Sequence, residues 1–382
     1  MTVWETVPSL LEAMLGEVGD RQAGVASLRW VLVTGEACAV GLWRRFQAAA
    51  PGVGMMNAYG PTECSDDVTH YVSLGGRVAE EGRGVPIGRP LPNTRAYVVD
   101  AAGEAVPVGV SGELVIGGVG VGRGYWRRAG QTAARFVADE QSGERGERLY
   151  RTGDVARWSR DGELEYLGRL DDQVKVRGYR VELGEIEARL AECEGVGEAA
   201  VVLREETTGD KRLVAYFTQA NHPEVAAEAL RQQLSARLPE YMLPAAYVRL
   251  AQMPLTPNGK LDRKALPAPE GDSYATGEYE EPQGEIEQRL AAIWSEVLKV
   301  ERVGRHDNFF ELGGNSLLVV RVIARLRRAG LQADPHTLFT MPVLAELAAA
   351  INQPISVVEV PPSLIPEASK PEESPNTVEI RI

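Results

Sequence analysis

Two side chains stand in settings where chemistry could be done. Ser316 follows Gly313 and Gly314 and opens an apolar run, NSLLVVRVIARL. A hydroxyl there lies at the expected N-terminus of a helix, where a partial charge of about +0.5 favours an attached anion. The two glycines would let another protein approach the backbone closely. The same place suits a simple helix cap, with the serine oxygen accepting a main-chain N–H, and the residues alone leave both roles open. Lys260 follows Asn258 and Gly259, a pair typical of tight turns, so its amine rides on a loop tip. An ammonium brought to an acyl or phosphoryl centre would stabilise charge that develops in the transition state; a turn lysine can equally be idle and solvated. Asp154 sits in a Thr-Gly-Asp turn after a strand-like run.

The bulk composition bounds what those groups can serve. The chain has 382 residues, 44 % of them apolar and 25 % charged, which fits two or three globular domains. A net charge of −13 argues against general binding to nucleic acid or to an anionic membrane. Cys38, Cys64 and Cys193 lie far apart in no metal-like spacing, consistent with structural thiols in a reducing cytoplasm. The opening residues have no basic stretch of the signal-peptide kind, and no apolar run reaches the roughly 18–20 residues of a membrane span. A cytoplasmic location is expected.

Elements that could position these groups follow from periodicity. PSLLEAML reads as an amphipathic helix and LRWVLVTGE as a buried strand ending in a glycine turn. From Pro86 to Tyr166 short alternating runs between glycines predict β-hairpins and no helix. A helix within GYRVELGEIEARLAECEGV, the strands EAAVVLREE and RLVAYFT, and a helix from about Glu224 to Arg237 make a small α+β unit. The stretch LPAPEGDSYATGEYEEPQG is poor in apolar residues and reads as a linker. Three or four helices follow, enough for a small bundle. The last 29 residues hold six prolines and are expected to be disordered.

The segment DNFFELGGNSLL closely resembles the carrier-domain signature of nonribosomal peptide synthetases. Six further segments resemble successive adenylation-domain motifs of the same family, in order: NAYGPTE, GELVIGGVGVGRGYW, YRTGD, GRLDDQVKVRGYRVELGEIE, LPEYMLP and PLTPNGKLDR. The resemblance extends to about residue 352. It implies a truncated α/β large subdomain of the adenylate-forming fold (1–169), a small α+β subdomain (170–265), a linker (266–283), an all-α carrier (284–352) and a tail (353–382). It implies a 4′-phosphopantetheine arm on Ser316, installed by a phosphopantetheinyl transferase, and ATP with Mg²⁺ at the adenylation site. Asn57 and Tyr59 would meet adenine, with Thr62 nearby; Asp154, Tyr166 and Arg169 would meet the ribose; Glu63 would ligate Mg²⁺, a hard cation that wants oxygen. Lys260 would be catalytic. Asp171 would be the hinge on which the small unit turns, exchanging Lys260 for a face at which Gly178 leaves room for the arm.

The resemblance also lines an amino-acid pocket with Glu5, Leu32, Thr34, Ala58, Asp66 and Asp67. Three carboxylates around a side-chain site call for a cation, which predicts a 2,4-diaminobutyrate-like substrate, with ornithine, lysine and arginine as the next choices. The family's Ser/Thr/Gly-rich phosphate loop has no counterpart in the sequence, so the chain is expected to be a C-terminal piece. Two functions follow: loading of an amino acid onto Ser316, or a carrier and docking role beside an inert adenylation remnant. Thr377 to Ile382 alternate apolar and charged, as a strand offered to a neighbouring condensation or docking domain would.

Overall fold

The computed structural model describes residues 2–18, 28–73, 84–176, 178–205, 211–220, 225–269, 279–314, 316–331 and 333–351. The tail, with the expected docking strand, lies outside them. No described helix is long and apolar enough to cross a membrane.

The first layer is a five-stranded sheet of β1 (Val3–Thr6), β2 (Trp30–Val33), β3 (Gly54–Tyr59), β4 (Thr69–Ser73) and β5 (Arg89–Pro90), with α1 (Pro8–Val18) and α2 (Val40–Ala49) between its strands. The first three strands run parallel and β4 returns antiparallel. Side chains alternate across a sheet, so Val31, Val33, Met55 and Tyr71 bury against Trp43 and Phe46 of α2. Leu32, Thr34, Met56 and Ala58 point to the other face.

The second sheet joins β6 (Thr94–Val99), β7 (Gly112–Gly118), β8 (Phe136–Ala138), β9 (Arg148–Trp158) and β10 (Leu164–Arg169) by antiparallel pairing. One point differs from the sequence reading, which gave this region no helix: α3 (Ala129–Arg135) is helical but buries none of its residues. Without an apolar stripe its periodicity is invisible.

The small unit opens with the hairpin β11 (Val174–Val176) and β12 (Tyr179–Val181), then α4 (Leu183–Ala191), β13 (Val196–Glu205), β14 (Lys211–Gln219), α5 (Ala227–Ser235) and β15 (Ala246–Leu250). Strand β14 pairs antiparallel with β13 and parallel with β15. Leu183, Ile186 and Leu190 of α4 and Leu230 and Leu234 of α5 close one face of that sheet. Helix α5 is shorter at both ends than the stretch expected from about Glu224 to Arg237.

The last unit is a bundle of α6 (Gly284–Leu298), α7 (Ser316–Arg328), α8 (Pro335–Thr340) and α9 (Leu344–Ile351) around Trp294, Phe309, Leu318, Val322, Leu338 and Leu347. Asp334 caps α8 by accepting the His336 N–H at 2.8 Å. The layers are those expected: mixed α/β units with a helical bundle after them.

Candidate functional site

The C-terminal ends of β2 and β3 meet the start of the small unit around a cavity of about 350 Å³, lined in part by Glu36, Tyr59, Tyr166, Arg169 and Lys175. Asn57, on β3, is buried and donates its amide to the carbonyls of Val85 (3.2 Å) and Pro86 (2.7 Å), pinning the strand. Tyr59 donates its hydroxyl to Oδ2 of Asp154 at 2.5 Å, and Arg169 donates Nη1 to Oδ1 at 2.6 Å. Asp154 is 3 % exposed. Burial and then the Asp154 charge push the Tyr59 hydroxyl well above its ordinary value, so it stays a donor. Arg169 also donates to Asp171 (2.6 Å from Nε), which Arg135 of α3 reaches at 3.2 Å. The expected hinge is thus tied to two arginines of the large unit. Tyr166 is half-buried, and burial raises its hydroxyl to about 12.

Glu63 lies in a 3₁₀ turn, Thr62–Cys64, with Thr62 exposed beside it. Its carboxylate accepts the Tyr125 hydroxyl at 2.6 Å and Nη1 of Arg180 at 3.0 and 2.9 Å on its two oxygens. Burial alone would raise this carboxyl; hydrogen bonds from Tyr125 and Tyr150 and the Arg180 charge outweigh it and hold it below its ordinary value. Arg180 belongs to β12 and is the cross-strand partner of Lys175 on β11. Lys175 lies 5.4 Å from the centre of the Tyr59 ring, a cation–π contact, and its ammonium is pushed down by burial against the pull of Asp154.

The tip of the same hairpin meets the large unit closely. Gly178 donates its N–H to Oε1 of Glu36 at 2.9 Å, while Oε2 accepts the N–H of Ser9 at 3.1 Å. A Cβ on Gly35 would stand 3.4 Å from the Gly178 Cα, and one on Gly178 would stand 2.7 Å from Val7. Gly178 also has a φ of +83°, open to glycine at no cost. Lys260 is not brought to this cavity. It is exposed in the turn from Thr256 to Lys260, with its own N–H on the Thr256 hydroxyl at 3.2 Å. The face that the small unit turns to the site carries the hairpin instead.

The bundle reaches the same region. Helix α1 packs against α7, and a second cavity of about 340 Å³ is lined by Val7, Leu10, Tyr179, Tyr241 and the bundle's Gly313 and Gly314. Tyr179 and Tyr241 stack at 4.3 Å with rings 6° from parallel. Ser316 opens α7 close after these glycines; Asn315 and the serine side chain are outside the described part.

The expected amino-acid pocket is scattered over one sheet face. Glu5 pairs in register with Leu32, Leu32 with Met56, and Ala58 with His70. Thr34 donates to Asp67 at 3.4 Å, and Asp67 lies 3.1 Å from Nε2 of His70. Glu5 and Asp66 are exposed, and Asp66 has a φ of +80°. Asp66 and Asp67 lie in the loop between the 3₁₀ turn and β4.

The implied cofactors fit what is present. Tyr59, Tyr166 and Arg169, which line the cavity, suit a nucleoside with Asp154 buried behind them, and Glu63 offers hard oxygen. Among the described residues no group of three or more His, Cys, Asp or Glu could hold a metal ion, so Mg²⁺ there would lean on Glu63 and on phosphate oxygens. Gly313 (φ +90°) and Gly314, just ahead of the serine that would carry a pantetheine arm, line the second cavity, and Gly314 packs so tightly that a Cβ there would stand 2.3 Å from the Phe309 carbonyl oxygen. Lys175, Arg180, Glu36, Tyr125 and His70 were missed by sequence reasoning. Only the hairpin spacing, which puts Lys175 and Arg180 opposite each other, could have signalled two of them.

Comparison with known proteins agrees. Residues 1–126 match the AMP-binding enzyme family, 185–260 its C-terminal domain, and 288–351 the phosphopantetheine attachment site. The chain is 49 % identical over 338 residues to malpibaldin synthetase of Mortierella alpina, covering 88 % of this chain and 6 % of that protein. It is 48 % identical over 349 residues to phosphinothricin tripeptide synthetase PhsB of Streptomyces viridochromogenes (90 % and 29 %). Isonitrile lipopeptide synthase of Mycobacterium tuberculosis shares 47 % over 352 residues (92 % and 13 %). The chain therefore spans a small part of the curated relatives it matches. Among solved structures, holo-PA1221, described as a protein with adenylation and carrier domains bound to a vinylsulfonamide inhibitor, aligns with a TM-score of 0.73 and 30 % identity over 91 % of this chain and 56 % of that one.

Proposed function

Since the chain belongs to the nonribosomal peptide synthetases and joins part of an adenylation domain to a carrier domain, we propose that it takes part in activating an amino acid and loading it on Ser316. In the first step a carboxylate oxygen of the amino acid displaces pyrophosphate from ATP, giving aminoacyl-AMP. In the second a thiol attacks the acyl carbon, AMP leaves with the bonding pair, and the thiol proton passes to solvent. The phosphopantetheine arm supplies that thiol. Asp154 and Tyr59 would hold the nucleoside, Glu63 the Mg²⁺, and Lys260 would neutralise charge in the first step after the small unit turns about Asp171. We take the unit boundaries to be 1–169, 170–265, 266–283, 284–352 and 353–382.

The observation that carries this reading is the meeting of three units at one passage. The bundle's glycine loop lines a cavity with Tyr179 and Tyr241, next to the hairpin whose Gly178 reaches Glu36. Such an arrangement suits the second step, and the exposure of Lys260 fits a first step made in another orientation. A cationic amino acid is favoured by Glu5, Asp66 and Asp67. The alternative, a carrier and docking module beside an inert remnant, keeps Ser316 and the segment Thr377 to Ile382 as its working parts.

The test has two arms. Coenzyme A and a phosphopantetheinyl transferase should add one arm by mass to the chain and none to Ser316→Ala. ATP–pyrophosphate exchange is then measured with 2,4-diaminobutyrate, ornithine, lysine and leucine. Exchange with a cationic amino acid supports loading; no exchange with any of them leaves the carrier role alone. Loss of partner binding on deleting Thr377 to Ile382 would support docking.

A further inference from the structure

We propose that Arg180 is a positioning residue that takes the place of the divalent cation on Glu63, so that metal and small-unit hairpin compete for one carboxylate. The inference rests on the reading of Glu63 as the metal ligand. Arg180 puts a single guanidinium nitrogen on both oxygens of Glu63, at 3.0 and 2.9 Å. The pair is sheltered, with side-chain exposures of 30 % for Arg180 and 13 % for Glu63. A cation coordinated to those oxygens would stand where the guanidinium now stands, and two positive groups cannot share so small a volume.

The arginine is itself held in place. It donates Nε to Gln173, whose own amide donates to Glu182, and its Nη2 lies 3.4 Å from the Tyr150 hydroxyl. Its cross-strand partner Lys175 faces Tyr59 from the same side of the hairpin. The two short strands therefore carry a pair of cations on one face. They present them to Glu63 and, through Lys175, to the neighbourhood of Asp154. These are the carboxylates that a metal–nucleotide complex would otherwise use. A metal held by Glu63 would refuse the hairpin; without one, Glu63 is a bare, half-buried carboxylate that draws Arg180 in. The order of the two steps is thereby tied to a swap of one cation for another.

The full chain can be tested without turnover. Binding of Mn²⁺ together with ATP, which supplies the phosphate oxygens, stands in for Mg²⁺ and is followed by the electron paramagnetic signal of the protein-bound metal. If Arg180 holds Glu63 in nine molecules of ten, removing it should tighten Mn²⁺ binding about tenfold. Arg180→Ala is therefore expected to bind Mn²⁺ about tenfold more tightly than the unaltered chain, and Glu63→Gln to lose that site. In parallel, dyes on Ala48→Cys in α2 and Ala229→Cys in α5 report the approach of the two units. Mg²⁺ should lower their energy transfer in the unaltered chain and leave it unchanged in Glu63→Gln. Arg180→Lys, which keeps the charge and so guards against a folding defect, should fall between. Equal Mn²⁺ affinity with and without Arg180, at a site that Glu63→Gln abolishes, overturns the competition while sparing the metal role. Mn²⁺ binding that Glu63→Gln leaves untouched overturns both.

Discussion

Replacing Gly314 by alanine tests whether the carrier loop is built as tightly as its geometry implies. The added Cβ would lie 2.3 Å from the Phe309 carbonyl oxygen and 2.4 and 2.5 Å from its ring carbons. Neither neighbour can yield easily. The carbonyl accepts the N–H of Gly314 at 2.8 Å, and the ring is fully buried, edge-on to Trp294 at 5.1 Å and to Phe310 at 5.4 Å. Overpacking of this kind costs about 1–3 kcal/mol. Alanine restricts the unfolded chain and returns about 0.4–1 kcal/mol, which leaves a net loss of about 1–2 kcal/mol. For a bundle this small the urea slope is about 1 kcal/mol per molar, so the carrier's midpoint should fall by about 1–2 M. Transfer of the phosphopantetheine arm to Ser316 across a urea series reads carrier folding directly. Gly330→Ala is the converse case, with a φ of +76° and nothing within 4 Å, so it carries backbone strain without a clash. A midpoint for Gly314→Ala no lower than that of the unaltered chain would refute the packing argument.

Three further outcomes are expected. Asp171 titrates below its ordinary 3.8, since the hydrogen bonds and charge of Arg169 and the contact with Arg135 outweigh burial. Its stabilising contribution is thus complete above pH 3.8 and disappears as pH falls through the lowered value; a carboxyl shift by NMR at or above 3.8 would contradict this. Tyr59→Phe removes the 2.5 Å bond to buried Asp154, a loss of about 1.5–3 kcal/mol, and should lower the melting temperature of the adenylation part, whereas Tyr179→Phe, with its exposed ring, should not. Asp67→Asn should cut the preference for diaminobutyrate over leucine in pyrophosphate exchange by about tenfold or more; an unchanged ratio would remove Asp67 from the pocket.

What could be read in the sequence divides by how local the signal is. Carrier and adenylation motifs are runs of neighbouring residues, so Ser316, Asp154 and Glu63 could be singled out before any contact was known. The bundle's helices were equally plain, because Leu318, Val322 and Leu326 repeat at helical spacing into one core. Helix α3 was not, having no buried side to mark its period. Partners brought together by the fold were also hidden. Nothing adjacent to Asp67 announces that His70 will turn back on it across the start of β4. Nor does the chain order of Glu63 and Arg180, 117 positions apart, hint that they share a bond.

That separation is informative in itself. Contacts within the large unit, such as Tyr59 to Asp154, can form whichever way the small unit faces. Those that cross between units, Gly178 to Glu36 and Arg180 to Glu63, exist only in this orientation. Both of these end on a carboxylate, and the opposing groups are an N–H and a guanidinium. A carboxylate in a half-buried site demands a partner, whether cation or donor. Lys260 stays in solvent while the hairpin supplies that partner. The large unit therefore presents fixed anions, and the orientation of the small unit is set by which positive group, metal or side chain, answers them.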